Sequence, residues 1–110
     1  MSLSTHVLDA TNGRPATNVA VTLHLRIDDR WEPVGGGVTD EDGRCRELTP
    51  VGLQAATYRL TFDTGTYFSK SGQTGFYPEV SIVFEVTEPT RHHHVPLLLS
   101  PFAYSTYRGS

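Results

Sequence analysis

Apolar and polar residues alternate with a period of two along three stretches of this chain, and that pattern restricts it to a sheet with one buried face. Val19, Val21, Leu23, Leu25 and Ile27 alternate with Ala20, Thr22, His24, Arg26 and Asp28. Tyr58, Leu60 and Phe62 alternate with Arg59, Thr61 and Asp63, and Val80, Ile82, Phe84 and Val86 with Ser81, Val83, Glu85 and Thr87. Successive side chains of a strand point to opposite faces, so each run has an apolar side and a polar side. Turn signals separate the runs: Thr11 to Pro15, Asp28-Asp29, Gly35 to Gly37, Asp40 to Gly43 and Glu88-Pro89-Thr90. Many short strands with evenly spaced turns read as an all-β sandwich. Strands are expected near residues 4–9, 18–28, 31–36, 43–48, 57–63, 78–87, 91–99 and 103–109. One short helix is expected over 64–72, with Gly72 ending it in the left-handed conformation.

Length and composition narrow the classes. The chain has 110 residues, which fits one domain, 1–110, and no repeat or linker divides it. No apolar run approaches the roughly 20 residues needed to cross a bilayer, so no membrane partner is expected. The N-terminal residues show no secretory pattern, and Arg108-Gly109-Ser110 is not a peroxisomal address of the Ser-Lys-Leu type. Cys45 is the single cysteine, which points to a reducing, cytoplasmic setting. The net charge of −3, with no basic block, argues against a nucleic-acid partner.

Several residues carry possible chemistry. On spacing alone His6 reads as a surface histidine, with Ser4 and Leu8 on its face and Thr5 and Val7 on the other. In Arg91-His92-His93-His94, His92 and His94 share a strand face while His93 points away. A pair of this kind supplies two zinc ligands, whereas a catalytic zinc usually takes three from the protein; no metal is expected. Arg44 and Arg46 sit on one strand face after the turn Asp40 to Gly43, and either offers a planar fork of donors. Cys45 lies between these cations, a setting that lowers a thiol pKa, but no base stands beside it in sequence. Asp28-Asp29 and Asp40-Glu41-Asp42 are turn chemistry. The terminal Tyr107-Arg108-Gly109-Ser110 concentrates polar groups where a chain would ordinarily fray. Ser110 lacks the strained elbow of a serine nucleophile and reads as an orienting contact.

Four segments in order, His6-Val7-Leu8-Asp9, Asp42-Gly43-Arg44, His92 to Pro101 and Tyr107-Arg108-Gly109-Ser110, resemble the transthyretin-related 5-hydroxyisourate hydrolases over nearly the whole chain. The likeness to transthyretin itself extends through Asn18 to Val21, Trp31-Glu32-Pro33, Tyr67-Phe68 and Tyr104-Ser105-Thr106. The resemblance implies a transthyretin-like sandwich of two four-stranded sheets with one short helix, assembled as a homotetramer, a dimer of dimers around a central channel. It implies hydrolysis of 5-hydroxyisourate in urate breakdown, with no cofactor. His6, Arg44 and His94 then carry catalysis, and Tyr107, Arg108, Gly109 and Ser110 bind substrate. His93 stands where the family usually has Tyr, a difference of packing more than of chemistry. The competing reading is a transthyretin-like carrier of a small apolar ligand such as a thyroid hormone, because fold does not fix function.

Overall fold

Two antiparallel hairpin runs and one parallel pairing build the sandwich in the computed structural model, which describes residues 3–49 and 52–109. In chain order the elements are β1 (Leu3–Asp9), β2 (Arg14–Pro15), β3 (Ala20–Ile27), β4 (Arg30–Val38), β5 (Arg44–Cys45), β6 (Ala56–Phe62), α1 (Thr64–Lys70), β7 (Val80–Val86), β8 (His93–Ser100) and β9 (Ala103–Thr106). One sheet runs β4-β3-β6-β7, all antiparallel. The other runs β9-β8-β1, with β8 parallel to β1, and its fourth place is shared by β5 and β2. The second sheet therefore has four strand positions, one of them split.

The alternation read from sequence sets the layers. Leu3 and Val7 of β1, and Val95, Leu97 and Leu99 of β8, meet Val21, Leu23, Leu60, Phe62, Val80 and Val86 from the opposite sheet, all buried. Each such side chain contributes about 1.5–3 kcal/mol by leaving water. Phe68 brings α1 onto the same core. The Asp63 side chain caps α1 by accepting from the Thr66 amide at 3.2 Å. Its end is where the sequence puts it: Gly72 takes φ 72°, while the Gln73 amide bonds the Phe68 carbonyl at 2.9 Å and the Gly72 amide the Ser69 carbonyl at 3.3 Å. This is the Schellman closure that a left-handed residue permits.

Three expectations are corrected. Gly35-Gly36-Gly37 is not a turn but the second half of β4, paired with Leu23, Thr22 and Val21. The register slips between Leu23 and His24, so Val34 bulges. At Gly36 a Cβ would lie 2.5 Å from the Val21 carbonyl oxygen, so the strands approach too closely for a side chain. Arg14-Pro15, read as part of a turn, pairs with β1. The strand expected over 43–48 shrinks to two ladder residues, Arg44–Cys45. Asp28 and Asp29, both at positive φ, make the two-residue hairpin turn.

β1 is anchored at its far end by a buried carboxylate. Asp9 accepts from the Tyr67 hydroxyl at 2.6 Å, the Gln73 amide at 3.2 Å and the Thr11 backbone at 3.0 Å. Burial pushes its pKa up, but these donors outweigh burial and hold it below the ordinary carboxylate value. A carboxylate depressed in the folded state stabilises above its unfolded pKa, and that stability is lost as pH falls through the folded value. Asp9→Asn is therefore expected to cost about 1–3 kcal/mol at neutral pH and to flatten the acid limb of stability. Thermal melts followed by circular dichroism from neutral pH downwards check both.

Candidate active site

The outer face of the β9-β8-β1 sheet gathers the polar residues that the alternation pushes away from the core. Ser4 and His6 project from β1 on this side, opposite buried Thr5 and Val7. Registration then decides the neighbours. Ser4 is level with His94 and His6 with Pro96 on β8, and His6 is level with Arg44 across β5. Three candidates from distant parts of the chain, His6, Arg44 and His94, thus share one face. A cavity of about 330 Å³ opens there, lined by Ser4, Thr5, Arg44, Arg46, His92 and His94.

The two arginines are held differently. The Asp40 turn grips the Arg44 backbone: its amide donates to Asp40 Oδ1 at 3.0 Å, and its carbonyl accepts from the Asp40 amide at 2.9 Å. Arg46 spends its guanidinium on an ion pair with Asp40 at 3.4 Å. Arg44 makes no ion pair among the described residues. Its donors are the ones available to a ligand.

His94 is half-buried, and burial pushes its pKa down, helped by electrostatic repulsion from Arg44 and the neighbouring His6 and His92 and opposed by a hydrogen bond to the Ser4 backbone. It is therefore a neutral imidazole near neutrality, able to accept a proton. Ser4, which sequence reasoning gave no role, bonds two of the histidines on the face: its Oγ is 2.8 Å from His94 Nδ1 and 3.0 Å from His92 Nε2. The signal available in sequence was its two-residue spacing from His6. His93 points inward as expected, and its Nδ1 donates to the Arg91 carbonyl at 2.9 Å.

The tail folds back onto His94. β9 ends at Thr106, short of the expected 109, but the Gly109 amide donates to the His94 carbonyl at 2.8 Å. A Cβ on Gly109 would lie 2.6 Å from His94 Cδ2, so Gly109 leaves room for the imidazole. Gly109→Ala is expected to turn the ring out of place and lower turnover on the order of 10- to 10²-fold. Circular dichroism should show the fold intact. Tyr107 and Arg108 line a separate apolar cleft of about 250 Å³, beside Ile82, Phe84 and Val95, which His94 also borders. Within one chain the tail and Arg44 thus open onto different cavities. Ser110 lies outside the described residues.

Cys45 is a correction. Burial pushes its thiol pKa up rather than down, because strand alternation turns it into the core while Arg44 and Arg46 face outward. No cluster of three or more potential metal ligands exists among the described residues. His92 and His94 each direct a ring nitrogen at the Ser4 hydroxyl.

The chain is thus a two-sheet β sandwich with an outer sheet face lined by imidazole and guanidinium groups. The chain belongs to the HIUase/Transthyretin family, whose sequence model matches residues 3–109. It is 46% identical to the 5-hydroxyisourate hydrolase of Mus musculus over 112 residues, covering 98% of this chain and 94% of that one. Among solved structures it matches the Klebsiella pneumoniae 5-hydroxyisourate hydrolase with a TM-score of 0.88 and 35% identity, covering all of both chains. Sea bream transthyretin in complex with thyroxine matches with a TM-score of 0.90 and 37% identity, over 97% of this chain and 93% of that one.

Proposed function

We propose that this protein hydrolyses 5-hydroxyisourate to 2-oxo-4-hydroxy-4-carboxy-5-ureidoimidazoline, a step of urate catabolism. The observation that carries the reading is the register that pairs His6 with Arg44 and brings His94, level with Ser4, onto the same sheet face. Opening the ring adds water to a carbonyl and breaks the adjacent C–N bond. That needs a base for the water, donors for the tetrahedral oxyanion and a proton for the departing nitrogen. His94, kept neutral, takes the water's proton; His6 supplies the proton to the leaving nitrogen; the Arg44 fork receives the oxyanion. Tyr107, Arg108, Gly109 and Ser110 shape the site and orient the ring.

Arg44 and the tail line different cavities of one chain, which supports a site completed by a neighbouring subunit in a homotetramer. The face at Ser4, His6, Arg44 and His94 is polar, which favours a heteroaromatic substrate over the apolar hormone of a carrier. A buried free thiol at Cys45 suits a cytoplasmic location.

The test mixes purified protein with freshly generated 5-hydroxyisourate and follows its ultraviolet decay; a rate equal to the spontaneous one would overturn the reading. Side chains alone supply base, acid and oxyanion donor, so exhaustive chelation is expected to leave the rate intact. Loss of activity restored by zinc would instead assign His92 and His94 as ligands.

A further inference from the structure

Ser4 bonds two imidazoles with one hydroxyl, and that limits their tautomers. A serine hydroxyl donates one hydrogen bond and accepts two. It cannot satisfy a bare lone pair on both His94 Nδ1, at 2.8 Å, and His92 Nε2, at 3.0 Å. At least one ring must present an N–H to Ser4. Ser4 is only 8% exposed, so bulk water has little access to relieve a mismatch.

Two arrangements satisfy both contacts with the Ser4 hydroxyl hydrogen between the rings; in a third, Ser4 Oγ accepts an N–H from both rings and its hydrogen goes elsewhere. In one, His92 Nε2–H donates to Ser4 and the Ser4 hydroxyl donates to His94 Nδ1. That places the His94 proton on Nε2 and leaves no lone pair there. In the other, His94 Nδ1–H donates to Ser4 and the Ser4 hydroxyl donates to His92 Nε2, leaving the His94 Nε2 lone pair free. Of these two, only the second allows His94 to take a proton from water. It also needs no rearrangement as the ring becomes imidazolium, because the same Nδ1–H keeps donating to the same oxygen.

We propose that Ser4 is a positioning residue that holds His94 in the Nδ1–H tautomer, with His92 as the acceptor that fixes the direction of the Ser4 hydroxyl. The inference rests on the reading of His94 as the base. In this role Ser4 acts through His94, whose Nδ1 its Oγ meets at 2.8 Å. Among the described residues, the titratable and charged groups around His94 are His6 from β1, Arg44 and Arg46 from the β5 segment, His92 and His93 beside it, and Glu85, Tyr107 and Arg108 along the neighbouring cleft.

Two measurements test it. In the resting protein labelled with ¹⁵N-histidine, the His94 signals should show a protonated Nδ1 and an unprotonated Nε2 above its pKa. A resting Nε2–H tautomer would overturn the proposal. This arm reads the tautomer whatever the substrate proves to be, so its outcome is separate from that of the hydrolase assay. Ser4→Ala should mix the tautomers and lower kcat about tenfold, the kinetic equivalent of one neutral hydrogen bond. KM should change little. Losing an acceptor for the imidazolium also moves the acid limb of the kcat/KM profile to lower pH. Ser4→Thr, which keeps the hydroxyl, should restore tautomer, limb and rate together. An unshifted limb with wild-type tautomers in Ser4→Ala would reduce Ser4 to packing and sink the assignment.

Discussion

His94→Ala is expected to lower turnover of 5-hydroxyisourate by about 10²- to 10⁴-fold, the range for loss of a positioned acid or base. Three features converge on this side chain. Burial and the neighbouring Arg44, His6 and His92 hold it neutral; Ser4 fixes its Nδ1; Gly109 makes room for its ring. The fold should survive, because the imidazole faces outward and the Gly109 contact uses the His94 backbone carbonyl. His6→Ala should cost a comparable factor, from the acid side of the reaction. In the wild type, a base with a depressed pKa keeps activity as pH falls past the ordinary imidazole value, and loses it on passing the lowered one. Steady-state rates across pH, with circular dichroism and sizing on each variant, read all of these. Near-normal turnover in both variants would remove the histidines from the mechanism.

The fold was legible where burial of one sheet face dictates the sequence. The alternation from Val19 to Ile27 became β3, and the Tyr58 to Phe62 and Val80 to Val86 patterns became β6 and β7. Gly35 to Gly37 misled because glycine marks a turn and a bulged strand alike. What distinguishes them is the carbonyl of Val21 on the neighbouring strand, which no local window contains. The edge beside β1 was legible only in part, because β5 and β2 are held by two-residue ladders too short to leave a periodic signal. In the site, strand parity assigned His92 and His94 to one side and His93 to the other without any tertiary information. Placing Ser4 between the two histidines required the parallel β1–β8 register, a long-range pairing of segments about ninety positions apart, as the separations of 88 and 90 residues show. The thiol of Cys45 was misjudged for a related reason: sequence adjacency to two arginines says nothing about facing, and alternation sends the sulfur inward.

Truncation after Thr106 is expected to leave a folded sandwich without measurable hydrolysis. The deleted residues add little to the core: Tyr107 is 59% exposed, Arg108 is exposed, and Gly109 offers one backbone bond to His94. The faces that stabilise the fold lie upstream, in β3, β6, β7 and β8. The cost to the site is larger. Loss of the Gly109 amide frees the end of β8 where His94 sits, and removal of the tail uncovers the imidazole on the side that Gly109 now closes. Tyr107 and Arg108 also take with them the polar rim of the second cleft that His94 borders. Each donor removed from a developing oxyanion costs roughly 10²–10³ in rate, and misplacing the base adds to that. Circular dichroism and sizing chromatography read the fold and assembly of the truncated protein, and substrate decay reads its chemistry. A truncated protein of unchanged size that still hydrolyses at the full rate would dismiss the tail from the site. A well-folded protein that has lost assembly along with activity would instead place the tail's role at the contact between subunits, where Arg44 of one chain and the tail of its neighbour are proposed to meet.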